Sequence, residues 1–131
     1  MELKVRGVVK PFTHRFHVEV KTGLENALAF PNPFDDDLGT HFSFYLTSDG
    51  PADVLLRVYT VRGRLIYDRT ERAMLPGYNQ LAWDGRDEMG DKLANGVYLF
   101  RLQARNSSGS SVHEGRLVKL RKPVRHSIEG Q

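Results

Sequence analysis

The sequence predicts an all-β protein, an antiparallel β-sandwich of about seven short strands. Three observations carry the prediction. Apolar residues recur with a period of two, helical periodicity is absent over any stretch of 11 or more residues, and turn-forming residues punctuate the chain at sandwich-like intervals. The 131 residues suffice for one domain that buries roughly two thirds of its extended surface. Two packed sheets follow, because a single sheet of that many strands would leave one apolar face wet.

The elements are taken in chain order. Leu3 and Val5 suggest a strand, and Arg15–Val20 alternates like another. Two strands make no stable domain alone, so residues 1–21 are expected to be edge strands of the sandwich or the tail of a preceding domain. Lys21–Asn26 reads as a polar, linker-like stretch, and the sandwich is expected within residues 22–123. Pro31 and Pro33 fix φ and bar their neighbours from the α region, which predicts an extended entry strand.

The clearest strands come next. Phe42, Phe44 and Leu46 alternate with Ser43 and Tyr45, and Val54, Leu56 and Val58 with Leu55, Arg57 and Tyr59. Later, Tyr98, Phe100, Leu102 and Ala104 alternate with Val97, Leu99, Arg101 and Gln103. Each run turns one face to a core. Leu65–Tyr67, Tyr78–Trp83 and Arg116–Leu120 are shorter candidates, while Glu71–Leu75 reads as one helical turn at most. Turns are expected at Ser48–Pro51, Arg62-Gly63, Pro76-Gly77, Asp84-Gly85, Asn95-Gly96 and Ser107–Ser111, where Gly, Asn and Pro supply the required φ values. Residues 124–131 form a basic tail.

The composition excludes several functions. With no Cys, there is no disulfide, thiolate metal site or cysteine nucleophile. No apolar run approaches the ~18 residues of a membrane span. Lys4, Arg6 and Lys10 interrupt the apolar start that a signal peptide needs, so any export signal is expected to lie elsewhere. Residues 1–21 carry a net charge of +3, residues 22–115 carry −4 and residues 116–131 carry +4. The basic charge therefore sits at the two ends, and no contiguous basic face predicts nucleic-acid binding.

Candidate chemistry is sparse. The carboxylates of Trp83–Asp91 lack the alternate-position spacing of a calcium loop, so Asp84 and Asp87 are read as capping backbone N–H groups in turns. Asp35-Asp36-Asp37 reads as a solvated loop, since three adjacent carboxylates cannot all face one ion. His14, His17, His41, His113 and His126 are scattered, with only His41 and His113 placed to meet across strands. No nucleophile elbow or acid–base pair stands out, which predicts no enzyme, no cofactor and no metal. Tyr98, two residues before a core position, suits the tyrosine corner of immunoglobulin-like sandwiches, and Trp83 suits the core with one partner for its N–H. Outward Tyr45 and Tyr59, with Tyr67, would make a strip for a glycan if they shared a face.

Four segments in register resemble a known family: Phe30-Pro31-Asn32-Pro33-Phe34, then Leu56–Leu65 with Tyr59 and Gly63, then Pro76–Gly90 with Trp83, Asp84, Gly85, Asp87 and Gly90, then Leu93–Tyr98 with Gly96. Together, over residues 27–121, they are similar to the immunoglobulin-like domain of the flagellar hook-capping protein and to the sorting domain of the type IX secretion system. The resemblance implies a seven-stranded sandwich without catalytic residues, the named residues serving as structural motif. It also implies a C-terminal module of a larger exported bacterial protein, secreted or on the cell surface. Such a module acts in secretion sorting, surface attachment or packing against neighbouring domains. The alternatives are a sandwich that binds carbohydrate or Ca²⁺, and a hook-cap-like assembly protein that multimerises through its sheet edges. In this pattern Arg62-Gly63 is a hairpin turn, Asp84, Gly85 and Gly90 shape a tight loop, and Gly96 allows a close approach before Tyr98.

Overall fold

The computed structural model describes residues 20–121. The expected elements before Val20 and after Arg121 lie outside them. The described residues form seven strands: β1 (Gly23–Phe30), β2 (Thr40–Thr47), β3 (Ala52–Thr60), β4 (Leu65–Met74), β5 (Gly77–Trp83), β6 (Gly96–Asn106) and β7 (Gly109–Lys119). They form two antiparallel sheets, β1-β2-β5 and β4-β3-β6-β7, in an immunoglobulin-like sandwich. The turn around Arg62-Gly63 keeps β4 beside β3, with Gly63 at a φ of 92° and Thr60 accepting the Gly63 N–H at 2.9 Å.

The core sits where the period-two runs predict. Phe42, Phe44 and Leu46 of one sheet face Val54, Leu56, Val58, Phe100, Leu102, Ala104 and Leu117 of the other, all buried. Phe42 and Phe100 meet across the sheets with ring centroids 5.0 Å apart. Each of these Val, Leu and Phe side chains contributes roughly 1.5–3 kcal/mol by leaving water.

Four expectations are corrected. Gly23–Asn26 is not linker but the first half of β1, paired with β2 from Gly23↔Thr47 onward. A bulge between Glu25 and Leu28, with Asn26 at a φ of 54°, shifts the side-chain parity and hides the strand from a strict alternation count. Likewise, Glu71–Met74 is the end of β4, not a helical turn. Its inward-side positions, Arg69 and Glu71, are polar because they bond each other at 2.7 Å along an edge. Pro31 and Pro33 do not extend an entry strand. β1 ends at Phe30, and both prolines lie in the bend beyond it, each after a cis peptide bond. Finally, Ser107-Ser108 alone makes the β6–β7 turn, and Gly109–Ser111 already belongs to β7.

The strand directions place the loops. β1, β3, β5 and β7 end at one pole, where β2, β4 and β6 begin. Thr22 bonds Asn106 at the other pole, while Asn32 bonds β7 near its end. The chain therefore enters the sandwich at one pole and leaves it at the opposite one, about 36 Å away along 11-residue β7.

Candidate functional site

The motif residues gather at the exit pole, where Tyr59 differs in facing outward. Tyr59 sits on the outer face of β3, opposite Leu65 and Leu99. The pole's architecture starts from the β1–β2 loop, which lies along the end of β7. Asn32 uses both ends of its amide: Oδ1 accepts from Val118 N–H at 2.9 Å, and Nδ2 donates to Arg116 C=O at 3.1 Å. Phe34 continues the contact as a short parallel bridge, its N–H donating to Val118 and its C=O accepting from Leu120, each at 2.9 Å. The loop thus covers part of the free edge of β7 with backbone partners.

That bridge aims the Phe34 ring into the core, where it is 2% exposed and 5.6 Å from the Trp83 ring. Gly85 lies directly against it. A Cβ on Gly85 would fall 2.5 Å from Phe34 Cε2, and the φ of +82° there already favours glycine. Trp83 is held by its indole N–H, which donates to Arg86 C=O at 3.0 Å, and Tyr67 packs on it at 5.2 Å.

The Asp-rich loop that follows is organised by its own backbone. Asp84 Oδ1 accepts from Arg86 N–H at 3.0 Å, and Asp87 Oδ1 accepts from Met89 and Asp91 N–H, both at 2.9 Å. Gly90, at a φ of 86°, donates to Asp87 C=O. Glu88 reaches out of the loop to β4: its N–H donates to Ile66 C=O at 3.0 Å, and its Oε2 accepts from Asp68 N–H at 2.6 Å. On the facing edge, Arg69 Nη1 donates to Ala82 C=O of β5 at 2.6 Å. The two strand edges at this side of the sandwich are each occupied by a side chain, a device that discourages edge-to-edge pairing.

Further along, the Tyr98 hydroxyl donates to Ala94 C=O at 2.7 Å, and burial pushes its pKa up. Gly96 does not serve close approach, because a Cβ there would meet nothing within 4 Å. Its φ of +148° is what a side chain would oppose.

The sequence reading missed one feature. Asp36 is not part of a uniformly solvated acidic loop. Its Oδ1 lies 2.7 Å from Lys119 Nζ, its Oδ2 lies 2.8 Å from Arg121 Nε, and Lys92 stands 3.9 Å away. Lys119 is fully buried and donates also to Leu93 C=O at 2.7 Å. Hydrogen bonds from Lys119 and then Arg121 lower the Asp36 pKa from 3.8 to about 2. The network ties two loops, β1–β2 and β5–β6, to the end of β7 and the exit of the chain. The one available signal was parity, which puts Lys119 on the same face of β7 as Leu117.

Two other juxtapositions do not form. His41 and His113 lie in different sheets, on β2 and β7, because β2 pairs with β1 and β5 only. His14, His17 and His126 lie outside the described residues. Tyr45 belongs to the three-stranded sheet, Tyr59 and Tyr67 to the other, and Tyr67 is turned against Trp83, so the three make no common strip. Tyr45 instead pairs edge-on with Tyr78 at 5.4 Å. Among the described residues, no three His, Asp or Glu side chains converge on one point, and no helix is long and apolar enough to cross a membrane.

These features define an immunoglobulin-like module whose loops are held by side chains from within the domain. The model of the FlgD Ig-like domain family matches residues 32–108, and the chain belongs to that family. No curated protein sequence matches it. Among solved structures, the chain is similar to dimeric latent PorU from Porphyromonas gingivalis, with 20% identity and a TM-score of 0.61. That match covers 73% of this chain and 9% of PorU. FlgD from P. aeruginosa is similar at 18% identity and a TM-score of 0.51, covering 72% of this chain and 74% of FlgD. At these identities the likeness establishes the fold. The same sandwich therefore occurs both in FlgD and as a small part of a far longer protein.

Proposed function

We propose that this domain is a non-catalytic C-terminal module of a larger exported bacterial protein, secreted or held at the cell surface. It serves there in sorting, attachment or packing against neighbouring domains, and its partners are those domains or the secretion machinery. The observation that carries this reading is the fate of the loop polar groups. Asn32, Asp36, Asp84, Asp87, Glu88 and Tyr98 are engaged in holding backbone or ion-pairing inside the domain. Catalysis would instead need such groups aimed at a shared point in a cleft. Family membership supports it as well.

Of the three roles, sorting is the most directly testable. Residues 22–123 are fused to a periplasmic passenger in a bacterium with a working type IX system. Surface or medium delivery of the passenger supports sorting, and retention in the periplasm removes that role. The hook-cap-like reading requires association through sheet edges, and the Glu88 and Arg69 caps weigh against it.

A further inference from the structure

The outer face of the four-stranded sheet holds an arrangement that the fold does not require. The register aligns Asp68, Arg57, Arg101 and Glu114 in one row across β4, β3, β6 and β7. Two guanidinium groups therefore stand on directly opposed residues of neighbouring strands, a pairing that like charge opposes. The flanking carboxylates offset the charge without satisfying the donors. Arg57 Nε lies 3.5 Å from Asp68 Oδ1, and Arg101 Nε lies 3.8 Å from Glu114 Oε2. Both Nε atoms are shielded from solvent and make no hydrogen bond, while 40% of each side chain remains accessible. The Nε atoms themselves are out of reach from outside, so a ligand would meet the accessible part of each arginine side chain.

The adjoining row supplies a wall. Leu65, Tyr59, Leu99 and Arg116 align across the same strands, and a cavity of about 280 Å³ opens between Tyr59, Leu99, Arg101, Glu114 and Arg116. We propose that this face binds a pyranose ring carrying a carboxylate, a uronate-type sugar. The chemistry selects each part of that ligand. Guanidinium forks match a carboxylate in geometry and charge, and Arg101 and Arg116 flank the cavity while Arg57 adjoins it. The Tyr59 ring and Leu99 offer apolar surface to the C–H face of a sugar, and Glu114 accepts from its hydroxyls. The volume suits one ring, near the lower end of small-molecule sites. An acidic peptide side chain has no flat face to lay on Tyr59. A neutral sugar brings no charge to meet Arg101 and Arg116.

The site is independent of the module reading above, and either can fail while the other stands. The test is an NMR titration of the 131-residue protein, following the arginine Nε–H resonances. The probes are methyl galacturonide, methyl galactoside and acetate at equal millimolar concentration. Methyl galacturonide is expected to shift the Arg57 and Arg101 signals, and the other two to leave them in place. Arg101→Gln is expected to weaken binding about tenfold or more, the loss of a charge-assisted bond. Arg105→Gln, which does not line the cavity, keeps the affinity within about twofold. If Arg101→Gln does not fold, Arg116→Gln reads the same cavity from its other side. Absence of any galacturonide shift overturns the proposal. So does an equal response to acetate, which marks an unselective anion patch, or to the galactoside.

Discussion

Replacing Gly85 by Ala tests whether the exit pole is organised around one close contact. The substitution carries two separable costs. An L-residue at a φ of +82° loses roughly 1–2 kcal/mol to backbone strain. The new Cβ would also stand 2.5 Å from Phe34 Cε2 and 3.2 Å from Cδ2. The ring has little freedom to retreat, since Phe34 is fixed on both backbone sides to β7 and packs on Trp83. Overpacking of this kind costs about 1–3 kcal/mol, for a total of about 2–5 kcal/mol. In a domain of this size each kcal/mol lowers Tm by about 4–8 °C, so a fall of roughly 8–40 °C is expected by calorimetry. Gly63→Ala is the control, because its φ is +92° but its Cβ meets nothing within 4 Å. It should show the backbone cost alone. Phe34→Leu removes the opposing ring atoms, so the Phe34→Leu/Gly85→Ala pair should be coupled favourably by about 1–3 kcal/mol in a double-mutant cycle. Equal losses for Gly85→Ala and Gly63→Ala, or strict additivity in the cycle, would refute the reasoning.

Three further outcomes are expected. The Asp36 pKa, lowered to about 2 by Lys119 and Arg121, implies a stabilisation complete above about pH 4 and lost as pH falls toward 2. Urea unfolding across that window should therefore weaken the wild type more than Asp36→Asn, and parallel pH curves would contradict the ion-pair network. Tyr98→Phe removes the 2.7 Å bond to Ala94 and should cost about 1 kcal/mol, read as a Tm fall of roughly 4–8 °C with unchanged secondary structure. Glu88→Ala frees the Asp68 N–H and the β4 edge, and light scattering should then show association that the wild type lacks at the same concentration.

The sandwich was legible in the sequence because a strand buried on one face must alternate, and β2 and β6 alternate without interruption while β3 departs only at buried Leu55. The family motifs were legible for a related reason: proline, glycine and asparagine at turns are local requirements. Where alternation breaks, the reading broke too. Asn26 and Ala73, at φ values of 54° and 55°, sit beside register shifts that reverse parity in β1 and β4. No local rule announces that reversal, because a bulge is set by the partner strand.

By itself, then, the chain determined which residues enter the core and where it turns. Tertiary structure alone decided which distant groups meet. Asp36 finds Lys119 and Arg121 because the β1–β2 loop lies along β7, more than 80 residues away in sequence. Tyr45 and Tyr59 part because sheet membership, a non-local pairing, separates strands that look alike when read singly. Alternation specifies a face. Only pairing specifies the neighbour, and charge networks and binding surfaces are properties of neighbours.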